Sequence, residues 1–381
     1  MALNLDMENY VLSVQDELQQ LIRDLCAIPA PSHHEELRAE FCRKWFVENG
    51  FENVSIDEAL NVLAPVNVTA DNSVTVYMAH TDTVFPEMTA LPFSEDDQFM
   101  YSPGVTDDTA NLAVLMLCAR YFKNHFKGGK SGVLFVANSC EEGLGNLKGS
   151  RKIVETFAGR ISEFITIDGV TLERMVTSAV GSHRYKVTVR TEGGHSYAHF
   201  GNRNAIQVLS AMISLLYTVK VPQEGSSKTT YNVGTISGGT SVNTIAQDAC
   251  MMYEYRSDSK NCLAKMQNFF EQTIETFRAS GVQVEVEMVG NRPCSGEIDE
   301  AAFTRLKERI SKSIKDVLDL SSRESSSSTD ANTALALGIP AVCISGCRGA
   351  GCHTREEKLE KQSLIPGCRL LLDIVCSSNC Q

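Results

Sequence analysis

The chain has 381 residues, 43% of them hydrophobic and 22% charged, with a formal net charge of −12. That length accommodates two domains with cores of their own, and the composition is that of an ordinary globular protein rather than a disordered one. The acidic balance, without any basic run flanked by aromatics, argues against nucleic acid and anionic membrane surfaces as partners, and no apolar run reaches the length of a membrane span.

At the N-terminus, Asp6, Glu8, Asp16 and Glu17 sit within an amphipathic pattern instead of a basic stretch leading into an apolar one. The expected location is therefore cytoplasmic. Leu18, Leu21, Ile22 and Leu25 form a helical stripe that Pro29 and Pro31 end. In the following "PSHHEE" loop, His33 and His34 read as surface residues. A second helix is predicted from about Glu35 to Asn49, with Gly50 placed to cap it. Beyond it, apolar runs at 74–80, 132–139 and 163–169 alternate with helical patterns at 107–122 and 148–157. That alternation predicts a layered α/β domain built on a sheet.

The middle of the chain reads differently. Alternating strands at 183–190, in "TTYNVGTIS", in "DACMMYEYR" and at 282–289 are interleaved with helices marked by Ile206, Leu209, Ile213 and Leu216 and by Leu263, Met266, Phe270, Ile274 and Phe277. The order βαββαβ is the ferredoxin-like unit. We expect an α/β domain over 1–179 and 292–381, interrupted by a module over 180–291. The methionines and aromatics of 251–255 read as sheet core. After residue 292 come an amphipathic helix near 300–320, a serine-rich loop at 321–328, a helix capped by Asp330, the strand 339–345, and a final helix broken or kinked at Pro366. Thirteen cysteines without CxxC spacing read as buried free thiols of a reducing compartment, with Cys343, Cys347 and Cys352 the cluster to watch.

Chemistry-bearing residues recur at the ends of the apolar runs. His80-Thr81-Asp82 ends the first, Glu141-Glu142 the second and Asp168 the third; Asp107-Asp108 precede a helix, and His353 follows a glycine-rich loop. In open α/β sheets the carboxyl ends of strands are where functional groups gather. One residue of spacing lets Asp82 hold the His80 imidazole, although such a tripeptide alone is a common chance match. Carboxylates converging at one sheet edge repel unless a cation lies among them. Two His with three or more carboxylates suit zinc, manganese or cobalt better than calcium or magnesium. A coincidental scatter of acidic residues remains the alternative at this point.

The stretches "HTD", "PGVTDDTANLAVLM", "NSCEEGLG", "ITIDG", "GGHSYAHFGNRNAI", "GGTSVNTIAQDACMMYEYR", "STDANTALALGIPAV" and "GAGCHTREE" occur in the order of a known family. The chain resembles, over essentially its whole length, the co-catalytic dimetal peptidases and aminoacylases that include peptidase T, carboxypeptidase G and acetylornithine deacetylase. The wording is closest to the peptidase T-like members. The resemblance implies an α/β/α layered catalytic domain with a mixed sheet, and a dimerisation or lid role for the inserted module, hence a homodimer. It implies two divalent metal ions, zinc first, with cobalt or manganese possible. Asp107 would bridge them, Glu142 and His353 would complete one site, and His80 and Asp168 the other. Asp82 would orient His80, and Glu141 would be the general base toward the water between the metals, passing its proton to the leaving amine. His195, rather than His199, matches the inserted-module histidine that supports the oxyanion. Asn243 and Arg256 match substrate-binding positions, the Arg pairing with a carboxylate.

One departure stands out. Many relatives carry Asp-x-Lys-Gly-Gly where this chain has Asp107-Asp108-Thr109-Ala110-Asn111, so Asn111 and the loop Gly238-Gly239-Thr240 are candidates for tuning the substrate. Cys352, beside His353, is a further candidate ligand as a thiolate. The implied activity is hydrolysis of an amide bond in short peptides, tripeptides among them. The same site would serve an N-acyl amino acid deacylase. A catalytically inactive binding protein on the same fold is the rival of another class, and competent residues at all five ligand positions and at Glu141 argue against it.

Overall fold

The computed structural model describes residues 5–377. The chain forms two compact units: one comprises the chain up to Ala179 and from Gly296 onward, the other runs Val180–Ser295.

The larger unit is built on an eight-stranded mixed sheet. Its strands are β1 (Ser55–Ile56), β2 (Val62–Val66), β3 (Val74–His80), β4 (Gly132–Asn138), β5 (Ile161–Ile167), β6 (Arg174–Ala179), β7 (Arg323–Ser327) and β8 (Ala341–Ile344). The order across the sheet is β1-β2-β4-β3-β5-β8-β6-β7. β4, β3, β5 and β8 run parallel, so their carboxyl ends share one edge. Every residue of β3 and β4 is buried, as expected of central parallel strands covered on both faces. The helices Gln15–Cys26, Ala110–His125 and Leu364–Ser377 supply much of the apolar layer packed on one side. Glu36–Glu48 ends as expected, with Gly50 at φ 79°. Among the described residues no helix is long and apolar enough to cross a membrane.

Three local expectations are corrected. The serine cluster holds an edge strand, β7, paired parallel to β6. An edge strand needs backbone partners on one side and tolerates polar side chains, so an apolar pattern is not required there. Pro366 neither breaks nor kinks the last helix, because it lies in the first turn, where its missing N–H has no intrahelical acceptor to lose. Asp330 does not cap the helix Ala331–Ala336. Its backbone is already helical, and its Oδ2 instead accepts the Asn138 Nδ2 donor at 2.5 Å, at the end of β4.

The second unit follows βαββαβ. Strands Thr229–Gly238, Asp248–Ser257, Gly181–Arg190 and Gln283–Arg292 lie in that order in one antiparallel sheet. Helices Ala205–Leu216 and Lys260–Ala279 pack against it. Asp248–Ser257 alternates buried and half-buried residues, with Met251, Tyr253 and Tyr255 in the core, the period of a sheet covered on one face. The cysteines of the described residues are all free thiols, most of them buried; Cys380 lies outside the described residues.

Candidate metal centre

The parallel register sets His80, the last residue of β3, beside Asn138, the last of β4. Glu141 and Glu142 therefore follow a few residues beyond the neighbouring strand end, and Asp168 is the residue after β5, its N–H donating to the Ile344 carbonyl at 2.8 Å. Asp107 arrives on the short turn Val105–Thr109 that leads into the helix Ala110–His125. His353 lies between the short strands Gly349–Ala350 and Lys358–Glu360.

These side chains converge. Asp107 Oδ1 lies 3.0 Å from His80 Nε2, and Asp107 Oδ2 lies 3.0 Å from His353 Nε2. His353 Nε2 is also 3.1 Å from Glu142 Oε1. Donor atoms of His80, Asp107 and Glu142 fall within 4.8 Å of one another, as do those of His80, Glu141 and Asp168. Two backbones are strained here: Cys140 and His353 take positive φ, 55° and 65°. Strain of this kind in non-glycine residues gathers at functional sites.

Asp82 does more than orient a ring. Its backbone carbonyl lies 3.0 Å and its Oδ1 3.5 Å from His80 Nδ1, and its two carboxylate oxygens accept the N–H groups of Glu141 and Glu142, both at 3.0 Å. Ser32 Oγ donates to the same carboxylate at 2.6 Å. Sequence reasoning missed three further supports. Glu35 is buried and accepts the Cys140 N–H at 2.9 Å, extending the run of anchored amides by one residue. Asp108 Oδ2 accepts the His80 N–H at 2.9 Å. Asn111 is also buried, where a substrate-tuning role was expected. It donates to the carbonyls of Thr106 (3.2 Å) and Gly169 (2.9 Å) and accepts the Gly346 N–H (2.7 Å), tying three loops together. Bonds to loop backbone carry no sequence signature; the departure from Asp-x-Lys-Gly-Gly was the available signal for Asn111.

The electrostatics suit a divalent cation. Burial, reinforced by the charge of Asp107, pushes the Asp168 carboxyl up to about 7, and burial raises Glu142 as well. Hydrogen bonds to Asp107 and Glu142 push His353 up to about 10. Burial works against a charged His80, yet Asp108, Asp107 and Asp82 outweigh it and hold its pKa above the ordinary range. Crowding and burial thus disfavour the charged forms of Asp168 and Glu142, a cost that a divalent ion would offset. Donor pairs 3.0–3.1 Å apart approach the roughly 3.3 Å between ligands of one tetrahedral ion with bonds near 2.0–2.1 Å. The donor set of imidazoles and carboxylates suits zinc, cobalt or manganese. Cys352 is a poor thiolate: burial, followed by the charge of Asp107, pushes its thiol up to about 12.

In the second unit, a two-residue ribbon pairs His195 with Thr244, and Ser196 N–H donates to the Asn243 carbonyl at 3.0 Å. His195 and Asn243 are thereby neighbours, both exposed. His195 Nδ1 accepts the N–H groups of Tyr197 and Ala198 at 3.2 and 3.3 Å, while His199 Nδ1 accepts the His195 N–H at 2.9 Å. Arg256 is not brought to them. It lies eight residues along its strand from Asp248, about 27 Å, and its guanidinium grips Glu254 at 2.9 and 3.0 Å.

Residues 76–377 match the model of peptidase family M20/M25/M40. The chain is 24% identical to a succinyl-diaminopimelate desuccinylase of Corynebacterium glutamicum, over 89% of this chain and 90% of that one. Its fold is similar to that of a tripeptidase from Staphylococcus aureus (TM-score 0.76, 22% identity, 96% and 99% of the two chains). It is similar also to aminopeptidase PepT from Bacillus cereus (TM-score 0.69, 22% identity, 95% and 98%). The chain belongs to peptidase family M20/M25/M40 and is a metallohydrolase of the peptidase and amidohydrolase class.

Proposed function

We propose that this enzyme removes the amino-terminal residue of short peptides, tripeptides among them, with two divalent ions, zinc first. The observation that carries the reading is Asp107, which offers one carboxylate oxygen to each of two imidazoles. Asp107 would then be shared between the ions, with His80 and Asp168 holding one and Glu142 and His353 the other. When bound, the ions act as Lewis acids, polarising the amide carbonyl and making water a nucleophile near neutral pH.

The chain's own residues do the rest. Asp82 fixes the His80 ring and anchors the amides of Glu141 and Glu142, so the two glutamates keep different aims. Glu141 takes the proton of the attacking water on its carboxylate and returns it to the leaving amine nitrogen. His195 donates a hydrogen bond to the carbonyl oxygen as it gains charge. Asn243 binds substrate beside it, whereas Arg256, held by Glu254, is left without a part in this reading. The inserted unit joins two copies as a homodimer, and the free thiols suit a cytoplasmic enzyme.

A second reading, an N-acyl amino acid deacylase, is favoured by the similarity to the desuccinylase. A panel of unmodified di- and tripeptides and of N-acetyl and N-succinyl amino acids separates the two. It is run on metal-stripped protein and again with zinc, cobalt or manganese added. The expected result is metal-dependent cleavage of tripeptides. Cleavage of N-acyl substrates alone would move the assignment to the deacylase.

A further inference from the structure

The segment that delivers His353 carries another residue whose position is unusual. Strand Lys358–Glu360 pairs antiparallel with Phe99–Tyr101, Lys358 opposite Tyr101. One residue earlier, Glu357 therefore faces Ser102, whose N–H donates to the Glu357 carbonyl at 3.3 Å. From there the chain from Ser102 to Asp107 folds over the Glu357 side chain, which is 1% exposed. Glu357 Oε2 accepts the Gly104 N–H at 2.7 Å. Its Oε1 accepts the Thr106 N–H at 2.8 Å, the Thr106 hydroxyl at 2.5 Å and the Asp107 N–H at 3.0 Å. On the other side of the segment, Gly349 lets the short strand close on this loop, since a Cβ there would run into Thr106 and the Lys358 carbonyl.

One segment thus reaches Asp107 twice: His353 meets its carboxylate, and Glu357, four residues on, holds its main chain. We propose that Glu357 is a positioning residue for the metal centre, fixing the Asp107 backbone relative to His353 so that one carboxylate can face both imidazoles. The inference rests on the dimetal reading above. Four donors converge on two oxygens, a pattern that an ionised carboxylate satisfies and an amide does not. Glu357 touches no ligand side chain; it acts through the backbone, as residues outside a metal's own ligands do when they fix ligand geometry.

The test measures zinc affinity by chelator competition on metal-stripped protein, with thermal melting of the same metal-free samples. Glu357→Gln keeps the shape and replaces one acceptor by a donor facing N–H groups. Its expected result is zinc bound about 10- to 100-fold more weakly with turnover recovered in excess zinc; the metal-free melting temperature falls as well, because a buried amide donor then faces N–H groups. Thr106→Val, which removes the hydroxyl's bond to Glu357 and its 3.6 Å contact with Cys352 Sγ, is expected to weaken zinc several-fold, and it decides the matter if Glu357→Gln does not fold. Unaltered zinc affinity in the folded variants, or a loss of metal-free stability with no loss of affinity, overturns the proposal. Asp107→Ala separates the two claims. If it binds zinc like the unaltered chain, the metal-centre reading itself fails; if it loses zinc while the Glu357 and Thr106 variants do not, only the role of Glu357 fails.

Discussion

His80 in the larger unit is 1% exposed and has a carboxylate near each ring nitrogen, whereas His195 in the inserted unit is exposed and its Nδ1 accepts amides of its own turn. Water compensates the second histidine at little cost. The first sits in a cluster where Asp82, Glu141 and Glu142 are also buried, and buried like charges must be protonated or offset by something of opposite sign. Energetics therefore suit a cation in the larger unit. No comparable demand marks His195, Asn243 or Arg256; the roles of the first two follow from family resemblance and from their proximity.

The largest expected effect lies in the buried cluster. Glu141→Ala should lower turnover at least about 1,000-fold while metal content stays nearly intact, in keeping with loss of a proton-transferring group. Glu142→Ala should lose metal and turnover together. Near-normal rates for Glu141→Ala in added zinc or cobalt would remove it from the base role. A smaller effect is expected across the comparison. His195→Ala should cut kcat about 100- to 1,000-fold, the range for one oxyanion donor, with metal content unchanged. Steady-state kinetics showing kcat unaffected would make the inserted unit irrelevant to the chemical step.

The smallest expected effect concerns buried groups outside the site. Burial pushes the Cys26 and Cys42 thiols up to about 11 and about 12. In the unfolded chain they ionise near pH 9, while in the folded chain they stay protonated. Stability is therefore unaffected below that pH and falls as pH rises toward 11, by up to about 1.4 kcal/mol per pH unit for each thiol. Melting of metal-free protein from pH 8 to pH 10.5 should show the decline, reduced in a Cys26→Ala, Cys42→Ala double variant. A flat profile would contradict it.

What could be read from sequence divides along similar lines. β3 and β4 were legible because fully buried strands must be apolar, and β5 because its second half is buried; the change of chemistry at their ends drew attention to His80, Glu141, Glu142 and Asp168. The βαββαβ order was legible from alternation alone. β7 was not, because Arg323–Ser327 needs only a ladder of backbone bonds at a solvated edge. The pairing of Arg256 with Glu254 could have been anticipated, since residues two apart on a strand share a face. Glu35, Glu357 and Asn111 bond to loop backbone, and which amides a loop presents depends on how distant segments fold around it.

The most direct test of the dimetal centre is the number of zinc ions bound per chain, measured by elemental analysis after metal stripping and reloading, for the unaltered protein and for Asp107→Ala. Two ions per chain are expected in the first, and loss of both or retention of no more than one in the second. Two ions retained in Asp107→Ala would contradict the claim that this one carboxylate joins the two halves of the site.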